Sequence, residues 1–450
     1  MSVELQSVPF DPADAKAALS QLPTSPAVFA LYGAEAKDEP YVGRTPNLRG
    51  RLQRLLQPSA KHPRRLQLAA RVRRIAFRLT GSDFESLLAQ FSLLEEIYGP
   101  KALERMHLRA PAFIRYLGSN PYPRIVITNK PSQREADWAY GPFASRAAAE
   151  RFAEEALKLF LLRRCTDDLN PDPSHPGCVY SEMKMCLAPC YKGCTDQRYA
   201  EEAAAVQSFL ATRGDSKLVV LRSERDAASV NLSFEDAATL HAQVQKVEAV
   251  RALAAELVQP LSRLRAVILQ PPAVGPTAPS APAAEVSVFM FSGGRLRGPV
   301  SFSTVGMRIQ NEQSGSSSLF AQPMALEPVL EETGNREQGL GIEKQGSKGT
   351  EMPSEAASSA PHQSASKVAR TMLEARLEAV LAELEKDAGP PSATVRQGHL
   401  ALLKRWYYRP EVKRDGEVCF PNDEGQWPVK SMLRSVGRVA AKSLAYAVRT

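Results

Sequence analysis

Two groups of side chains in this sequence have types and spacings that suit chemistry, and the first is a dense set of arginines. They follow a predicted hairpin, residues 27–45, that ends in Tyr41-Val42-Gly43-Arg44. Between residues 44 and 82 there is no aspartate or glutamate, but there are eleven cations: Arg44, Arg49, Arg51, Arg54, Lys61, Arg64, Arg65, Arg71, Arg73, Arg74 and Arg78. Because these charges repel one another unless an anion neutralises them, the window favours binding to a polyphosphate backbone. The alternative is a solvated basic surface on two helices.

The second group is a cluster of cysteines. Five of the six cysteines lie in one short window: Cys165, Cys178, Cys186, Cys190 and Cys194. In a reducing compartment, such a cluster points to metal binding rather than to disulfides. Four thiolates gathered from a loop and a turn suit tetrahedral zinc or a four-cysteine iron–sulfur cluster, and the spacing does not separate the two. Free or buried thiols are the alternative.

The composition limits the class of protein. The chain has 450 residues, enough for about three ordinary domains, and 44% of them are hydrophobic, which allows a sizeable core. The formal net charge of +8 favours an anionic partner. No stretch approaches the length of a membrane span, and the first residues lack the basic and apolar regions of a secretory signal. We therefore predict a cytoplasmic protein with no membrane partner.

The elements that must position these side chains alternate between strands and helices, which predicts the α/β class. Three helices are predicted over 197–258, and a Pro/Ala-rich linker, residues 270–285, separates them from a hairpin at 285–305. The earlier elements are predicted strands at 27–32, 40–43, 75–80, 113–117 and 124–128, and predicted helices at 45–56, 83–97 and 145–160.

The last part of the chain changes in composition. Residues 306–366 are rich in Ser, Gln, Glu and Gly and have few aromatic residues, which predicts a disordered linker. Residues 367–450 read as a C-terminal helical and basic unit. Its aromatic and basic residues could stack bases and touch phosphates, or could form a small core with a basic rim.

An ordered series of motifs resembles the UvrC family, the incision subunit of bacterial nucleotide excision repair, over roughly residues 20–250. The segments that carry the resemblance are "LPTSPAVFALY", "PYVGRTPNLRGRL", "SDFESLLAQFSLL", "YGPFASRAAAERFAEEALKLFLLRRC" and "CLAPC". The resemblance implies a GIY-YIG nuclease-like domain at 20–100, a mixed sheet with flanking helices. It also implies a Cys-rich cluster-binding region at 101–200 and a helical region at 201–258. The family's RNase H-like and helix-hairpin-helix halves have no recognisable counterpart, so 285–305 is predicted to be a relic β-hairpin.

The resemblance assigns roles to residues around the first hairpin. Tyr41 matches the tyrosine that takes a proton from the attacking water, and Arg51 matches the arginine that contacts the scissile phosphate. Arg44 replaces the usual lysine, and Phe29 replaces a tyrosine, keeping the ring without the hydroxyl. Further backbone contacts to DNA are then predicted from Arg49, Arg54, Arg64, Arg65 and Arg71.

One position departs from the family in a way that matters for chemistry. The glutamate that holds the divalent metal, Mg²⁺ or Mn²⁺, corresponds to Gln90. A neutral amide is a poor ligand for Mg²⁺, which prefers anionic oxygens. No neighbouring acid replaces it, because Glu85 and Glu95 lie far round the predicted helix and Asp83 lies about 10 Å along its axis. Whether the protein is an enzyme therefore stays open at this point.

Two further sites follow from the resemblance. Cys165, Cys178, Cys186 and Cys190 match the ligands of a [4Fe–4S] cluster, with zinc as the alternative and Cys194 outside the pattern. Residues at about 217–250 resemble the UVR motif, a helical hairpin that docks on the helicase UvrB. Its predicted partner-binding residues are Phe234, Glu235 and Leu240, with Phe234 filling the junction of the two helices. The alternative is a hairpin that packs only on its own domain.

Two functions from different classes are consistent with these features. The first is a UvrC-like DNA endonuclease that makes a single phosphodiester incision near damage. The second is a catalytically weak or silent accessory protein that binds DNA and a UvrB-like helicase. Tyr41 and Arg51 favour the first, and Gln90 favours the second.

Overall fold

The computed structural model describes residues 4–35, 37–57, 68–166, 169–273, 285–305, 307, 360–386 and 389–447. Within these residues, helices accompany three four-stranded sheets in which every pair of neighbouring strands is antiparallel. The predicted combination of α and β structure is therefore confirmed. No helix in these residues combines the length and the apolar character that a membrane span requires. Most of the predicted linker 306–366 lies outside the described residues.

The first sheet has the strand order β1-β4-β2-β3. The strands are β1 (Gln6–Pro9), β2 (Ala27–Tyr32), β3 (Tyr41–Thr45) and β4 (Arg74–Leu79). Helices α1 (Ala15–Ser20) and α2 (Leu48–Leu56) cover one face, and α3 (Asp83–Tyr98) covers the other. Because β2 is covered on both faces, its apolar residues run without alternation. The small polar strand β1 was not predicted.

The second sheet, of order β6-β5-β7-β8, supports the long helices. Its strands are β5 (Ala112–Tyr116), β6 (Ile125–Thr128), β7 (Ala139–Phe143) and β8 (Gln259–Pro260). After the short helix α4 (Ala102–Arg105), the helices are α5 (Arg146–Leu157), α6 (Val179–Glu182), α7 (Asp196–Ala211), α8 (Asp215–Val230) and α9 (Phe234–Ala252). The three helices predicted over 197–258 match α7, α8 and α9. They share one hydrophobic core with β5, β7 and α5.

The third sheet contains the hairpin predicted at 285–305, but it is larger than a hairpin. Its order is β11-β10-β9-β12, from β9 (Ala266–Gln270), β10 (Glu285–Ser292), β11 (Arg295–Ser303) and β12 (Glu417–Cys419). One face is covered by α10 (Ala360–Glu385) and α12 (Val429–Ala447), and the other by α11 (Ala393–Tyr407). The C-terminal unit is therefore built around this sheet.

Helix α3 lies between the first sheet and the C-terminal unit. Ala89 and Leu93 pack on Val28 and Ala30 of the first sheet. The other side of α3 joins a single core with α11 and the third sheet, through Phe84, Leu87, Leu88, Phe91, Leu94, Phe289, Leu403 and Trp406. Because α3 carries position 90, the candidate nuclease site and the C-terminal unit are mechanically connected.

Candidate functional site

Strand β3 and helix α3 together position the predicted nuclease residues. At its start, α3 contacts β3 through an ion pair between Asp83 and Arg44. At its end, the Tyr98 hydroxyl donates to the Pro40 carbonyl over 2.7 Å, just before β3 begins. Helix and strand therefore run in opposite directions, and Gln90 lies along α3 between these two contacts.

Tyr41 lies at the edge of the first sheet on an aromatic support. Its side chain is 39% exposed, and its ring centroid is 6.1 Å from that of the fully buried Phe29. Phe29 pairs with Gly43 in the sheet, and a Cβ atom added to Gly43 would lie 2.8 Å from Phe29 Cζ. The Tyr41 hydroxyl has no hydrogen-bond partner among the residues that the structure describes. It is therefore accessible to a ligand from solvent.

Asp83 is shared between two arginines from distant parts of the chain. Arg44 of β3 pairs with its Oδ1, and Arg409 Nη2, just after α11, lies 2.6 Å from its Oδ2. Burial of this carboxyl opposes ionisation, but the hydrogen bonds and charges of Arg409 and Arg44 prevail and lower the pKa of Asp83. Sequence reasoning did not identify Arg409, because its contact with Asp83 exists only in the folded chain.

The prediction that the eleven cations lack counter-charges is correct for the local sequence but wrong for the fold. Besides Arg44, two of those that the structure describes pair with acids outside the window. Arg71 lies 3.1 Å from Asp38, and Arg78 lies 3.6 Å from Glu85. The tertiary structure therefore supplies carboxylates that the sequence window lacks.

The remaining predicted DNA-binding arginines differ in whether their guanidinium groups already have hydrogen-bond partners. Arg49 Nε donates to the Leu22 carbonyl over 2.6 Å, and Arg54 Nε donates to the Gly50 carbonyl over 3.0 Å. The Arg51 guanidinium, on α2, has no hydrogen-bond or ion-pair partner among the described residues. Arg64 and Arg65 lie outside the described residues. Arg51 is thus the predicted phosphate-binding residue whose guanidinium is most available.

Two of the acids on α3, Glu85 and Asp83, are already engaged. Glu85 is buried, accepts the Gly81 N–H over 2.9 Å and pairs with Arg78. Burial raises the pKa of Glu85, although the Gly81 N–H and Arg78 oppose this effect. The half-buried Gln90 has no side-chain partner in the part of the chain that the structure describes. Asp83 is held by two arginines. Glu95, five positions after Gln90, lines a cavity against β11 and α11 with Leu296 and His399, so it lies on a different side of α3 from position 90.

The four predicted cluster cysteines lie near one another as free thiols. Burial, reinforced by the thiols of Cys165, Cys178 and Cys190, raises the pKa of Cys186 to about 11. The Ala188 N–H donates to Cys186 Sγ over 3.3 Å. The donor chemistry therefore suits a soft metal or an iron–sulfur cluster. However, no group of three or more His, Cys, Asp or Glu side chains within the described ranges is arranged to hold a metal ion.

The helical hairpin α8–α9 exposes apolar side chains at its turn. Phe234, predicted to fill the junction of the helices, is instead 66% exposed, so that prediction is wrong. The reason is that the hairpin packs through residues farther from the turn, namely Leu218, Leu221, Val244 and Val247. Of the other predicted partner-binding residues, Glu235 is exposed and Leu240 is half-buried against this core. Val230 and Leu232 extend the exposed apolar tip beside Phe234.

Comparison with known proteins gives matches over part of the chain. Residues 113–209, which run from β5 into α7, match the family model of the UvrC/Cho excinuclease middle domain. UvrABC system protein C of Alcanivorax borkumensis is 28% identical over 242 residues, which is 54% of this chain and 39% of that relative. Its counterpart in Shigella dysenteriae serotype 1 is 29% identical over 243 residues, 53% of this chain and 41% of that relative.

Over about half of its length, this chain is similar to the UvrC proteins.

The UvrC-like region spans about two fifths of the length of the curated relatives it matches. No solved structure matches the chain significantly. The resemblance found in the sequence motifs is thus supported by the middle-domain match and by these relatives. The roles of Tyr41, Arg51 and Gln90 rest on the motifs and on the geometry described above.

Proposed function

We propose that this UvrC-like protein takes part in nucleotide excision repair by binding the DNA backbone through its first domain without cutting it. In this proposal, the nuclease-like domain keeps a surface of arginines around Tyr41 but no longer holds a catalytic metal. Arg51 and Arg44 would contact phosphates, since guanidinium groups suit bidentate phosphate recognition. The proposal belongs to the accessory class of function rather than to the enzymatic one.

The observation that carries this proposal is the state of the acids on α3. Mg²⁺ needs anionic oxygens, and position 90 offers a neutral amide. Glu85 is turned toward Gly81 and Arg78, and Asp83 is turned toward Arg44 and Arg409. A metal at position 90 would have to displace at least one of these ion pairs to gain either carboxylate, and Glu95 lines a cavity against β11 and α11 instead. Without a metal, charge that develops on the phosphoryl group loses its main stabilisation.

A single incision near damage is the second candidate function. It is favoured by the exposed Tyr41, whose hydroxyl has no partner among the described residues, and by the unpaired Arg51. In that case Tyr41 would accept the proton of the attacking water, and Mg²⁺ or Mn²⁺ would be held in a rearranged site.

Binding and cleavage of one labelled duplex separate the two candidates. The substrate is an end-labelled duplex with a single bulky lesion, incubated with UvrA, UvrB, ATP and either Mg²⁺ or Mn²⁺. We expect salt-sensitive binding by the purified protein and no incision in the complete mixture. An incision that disappears in Tyr41→Phe would establish endonuclease activity and would overturn the proposal that the protein binds DNA without cutting it.

We also propose that the tip of the α8–α9 hairpin docks on a UvrB-like helicase. The exposed apolar set of Val230, Leu232 and Phe234 suits a protein partner better than solvent. Phe234→Ala should weaken co-purification with UvrB several-fold, while Val220→Ala, an exposed apolar residue elsewhere on α8, should not. Equal binding by both variants would contradict docking through the tip.

We further propose that Cys165, Cys178, Cys186 and Cys190 hold a [4Fe–4S] cluster, with zinc as the alternative. Such a cluster would tie the loop between α5 and α7 to a fixed shape. Anaerobically purified protein should contain iron and acid-labile sulfide and absorb visible light. Cys186→Ser should lose these signals, whereas Cys419→Ser, in β12, should keep them. Zinc without iron would support the alternative, and the absence of both metals would contradict the proposal.

A further inference from the structure

The C-terminal unit reaches the candidate phosphate-binding residues through one shared carboxylate. Arg409 and Arg44 each hold one oxygen of Asp83, and both side chains are partly exposed. We infer that Asp83 competes with DNA phosphate for Arg44, and that Arg409 is a positioning residue that relieves this competition by holding Asp83. This inference rests on the proposed DNA-binding function and adds a regulatory contact to the same site.

The division of the two oxygens is the central geometric observation. Arg44 Nη1 engages Oδ1, and Arg409 Nη2 lies 2.6 Å from Oδ2. A guanidinium and a carboxylate bind most strongly when two parallel N–H groups meet both oxygens. While Arg409 occupies Oδ2, Arg44 could form that bidentate pair only by sharing Oδ2 with Arg409, which weakens it. Removal of Arg409 would free Oδ2 and let Asp83 hold Arg44 more firmly.

Arg409 is held over Asp83 by the buried packing of the C-terminal unit. Trp406 is almost fully buried, and its ring centroid is 5.4 Å from that of Phe84, the residue after Asp83. The Arg409 N–H donates to the Trp406 carbonyl over 3.2 Å. Beside it, the Tyr408 hydroxyl donates to the Pro142 carbonyl over 2.9 Å. The position of Arg409 is therefore fixed by the core and does not depend on the ion pair alone.

The charges around Asp83 allow Arg44 to move from Asp83 to a DNA phosphate. Asp415 lies within electrostatic range of Asp83 and Arg409, so two arginines face two carboxylates. When a phosphate draws Arg44 away, Asp83 keeps Arg409 as its counter-charge. Without Arg409, the same movement would leave Asp83 half-buried and unpaired, which costs free energy. Arg409 thus lowers the cost of transferring Arg44 from Asp83 to DNA.

A double-mutant cycle tests the inference with the full-length protein. The affinity for a fluorescein-labelled damaged duplex is measured by anisotropy for wild type, Asp83→Asn, Arg409→Gln and the double variant. We expect Arg409→Gln to weaken binding about two- to fivefold, and Asp83→Asn to strengthen it by a similar factor, as for a partly exposed ion pair. The double variant should bind as tightly as Asp83→Asn. Arg405→Gln, an exposed arginine of the same unit, should match wild type.

Other outcomes separate this inference from its alternatives. If Arg409→Gln weakens binding equally in the Asp83→Asn background, Arg409 touches phosphate directly and the exchange role is overturned. Unchanged affinity in all variants would overturn it as well. If wild type itself fails to bind DNA, the proposed function falls with it. Recovery in the double variant excludes misfolding as the cause of the loss, and Arg409→Lys, which keeps the charge, should retain most of the affinity.

Discussion

Position 43 illustrates how a single residue shapes the candidate site. The ring of Phe29 lies against Gly43 across the sheet, and the same ring supports Tyr41. Sequence motifs identified Phe29, Tyr41 and Arg44 because these residues are close in the chain and follow a local pattern. They did not identify Arg409, because no local pattern links it to Asp83, 2.6 Å away in the fold.

Gly43→Ala should destabilise the first sheet. The added Cβ would lie 2.8 Å from Phe29 Cζ, and because Phe29 is fully buried, its ring must shift within the packed core. Overpacking of this kind costs about 1–3 kcal/mol of unfolding free energy, measurable by urea titration. Gly437→Ala is the control, because within the described residues its Cβ would meet only Met307 Cε at 4.0 Å, which is ordinary van der Waals contact. Equal stability of wild type and Gly43→Ala would contradict the packing described.

At the scale of elements, α3 joins the first sheet to the third. Its Phe91 ring centroid lies 5.5 Å from that of His399 on α11, and His399 Nδ1 accepts the Leu296 N–H of β11 over 2.8 Å. The sequence predicted α3 nearly to the residue, because its length and pattern are strong. It did not predict β8 or β12, because strands of two or three residues carry no periodic signal.

Because His399 is buried between α3 and β11, the stability of the protein should be sensitive to acid. Burial, with a smaller effect of the Arg295 charge, lowers the pKa of His399 to about 3. In the unfolded chain, the imidazole of His399 takes up a proton near pH 6.5. The contribution of neutral His399 to the free energy of unfolding is therefore complete above that pH and is lost as the pH falls toward the folded pKa. Unfolding free energy should fall by up to about 1.4 kcal/mol per pH unit from this residue.

The control for this acid sensitivity is His399→Gln, whose amide oxygen can still accept the Leu296 N–H. Urea titrations at pH 7.5 and pH 5 should show a smaller difference for this variant than for wild type. The same difference in both proteins would mean that groups other than the buried His399 cause the acid sensitivity.

At the scale of the whole molecule, the C-terminal unit shares one core with α3, the helix that covers the first sheet. Phe84 of α3 contacts both Trp406 of α11 and Phe289 of β10. The sequence left open whether the aromatic residues of the C-terminal unit stack bases or form a core, and for Trp406 the buried position decides for the core. That contact joins segments distant in the chain, so composition alone could not predict it.

Trp406→Ala should therefore affect stability and DNA binding together. Removal of a buried tryptophan typically costs about 3–5 kcal/mol of unfolding free energy. Because Trp406 holds Arg409 over Asp83, affinity for duplex DNA should also fall under conditions where the variant is still folded. Val412→Ala, at a fully exposed position of the same unit, should change neither property. Loss of stability with unchanged DNA affinity would show that the C-terminal unit does not contribute to DNA binding.

In the proposed function, Gln90 alone disarms a site that otherwise keeps its nuclease groups. Incision of a damaged duplex by Gln90→Glu in the presence of UvrA, UvrB, ATP and Mg²⁺ is the first experiment to perform. We predict no incision by wild type, incision by Gln90→Glu, and none by the double variant with Tyr41→Phe. Incision by wild type that equals that of Gln90→Glu would contradict the claim.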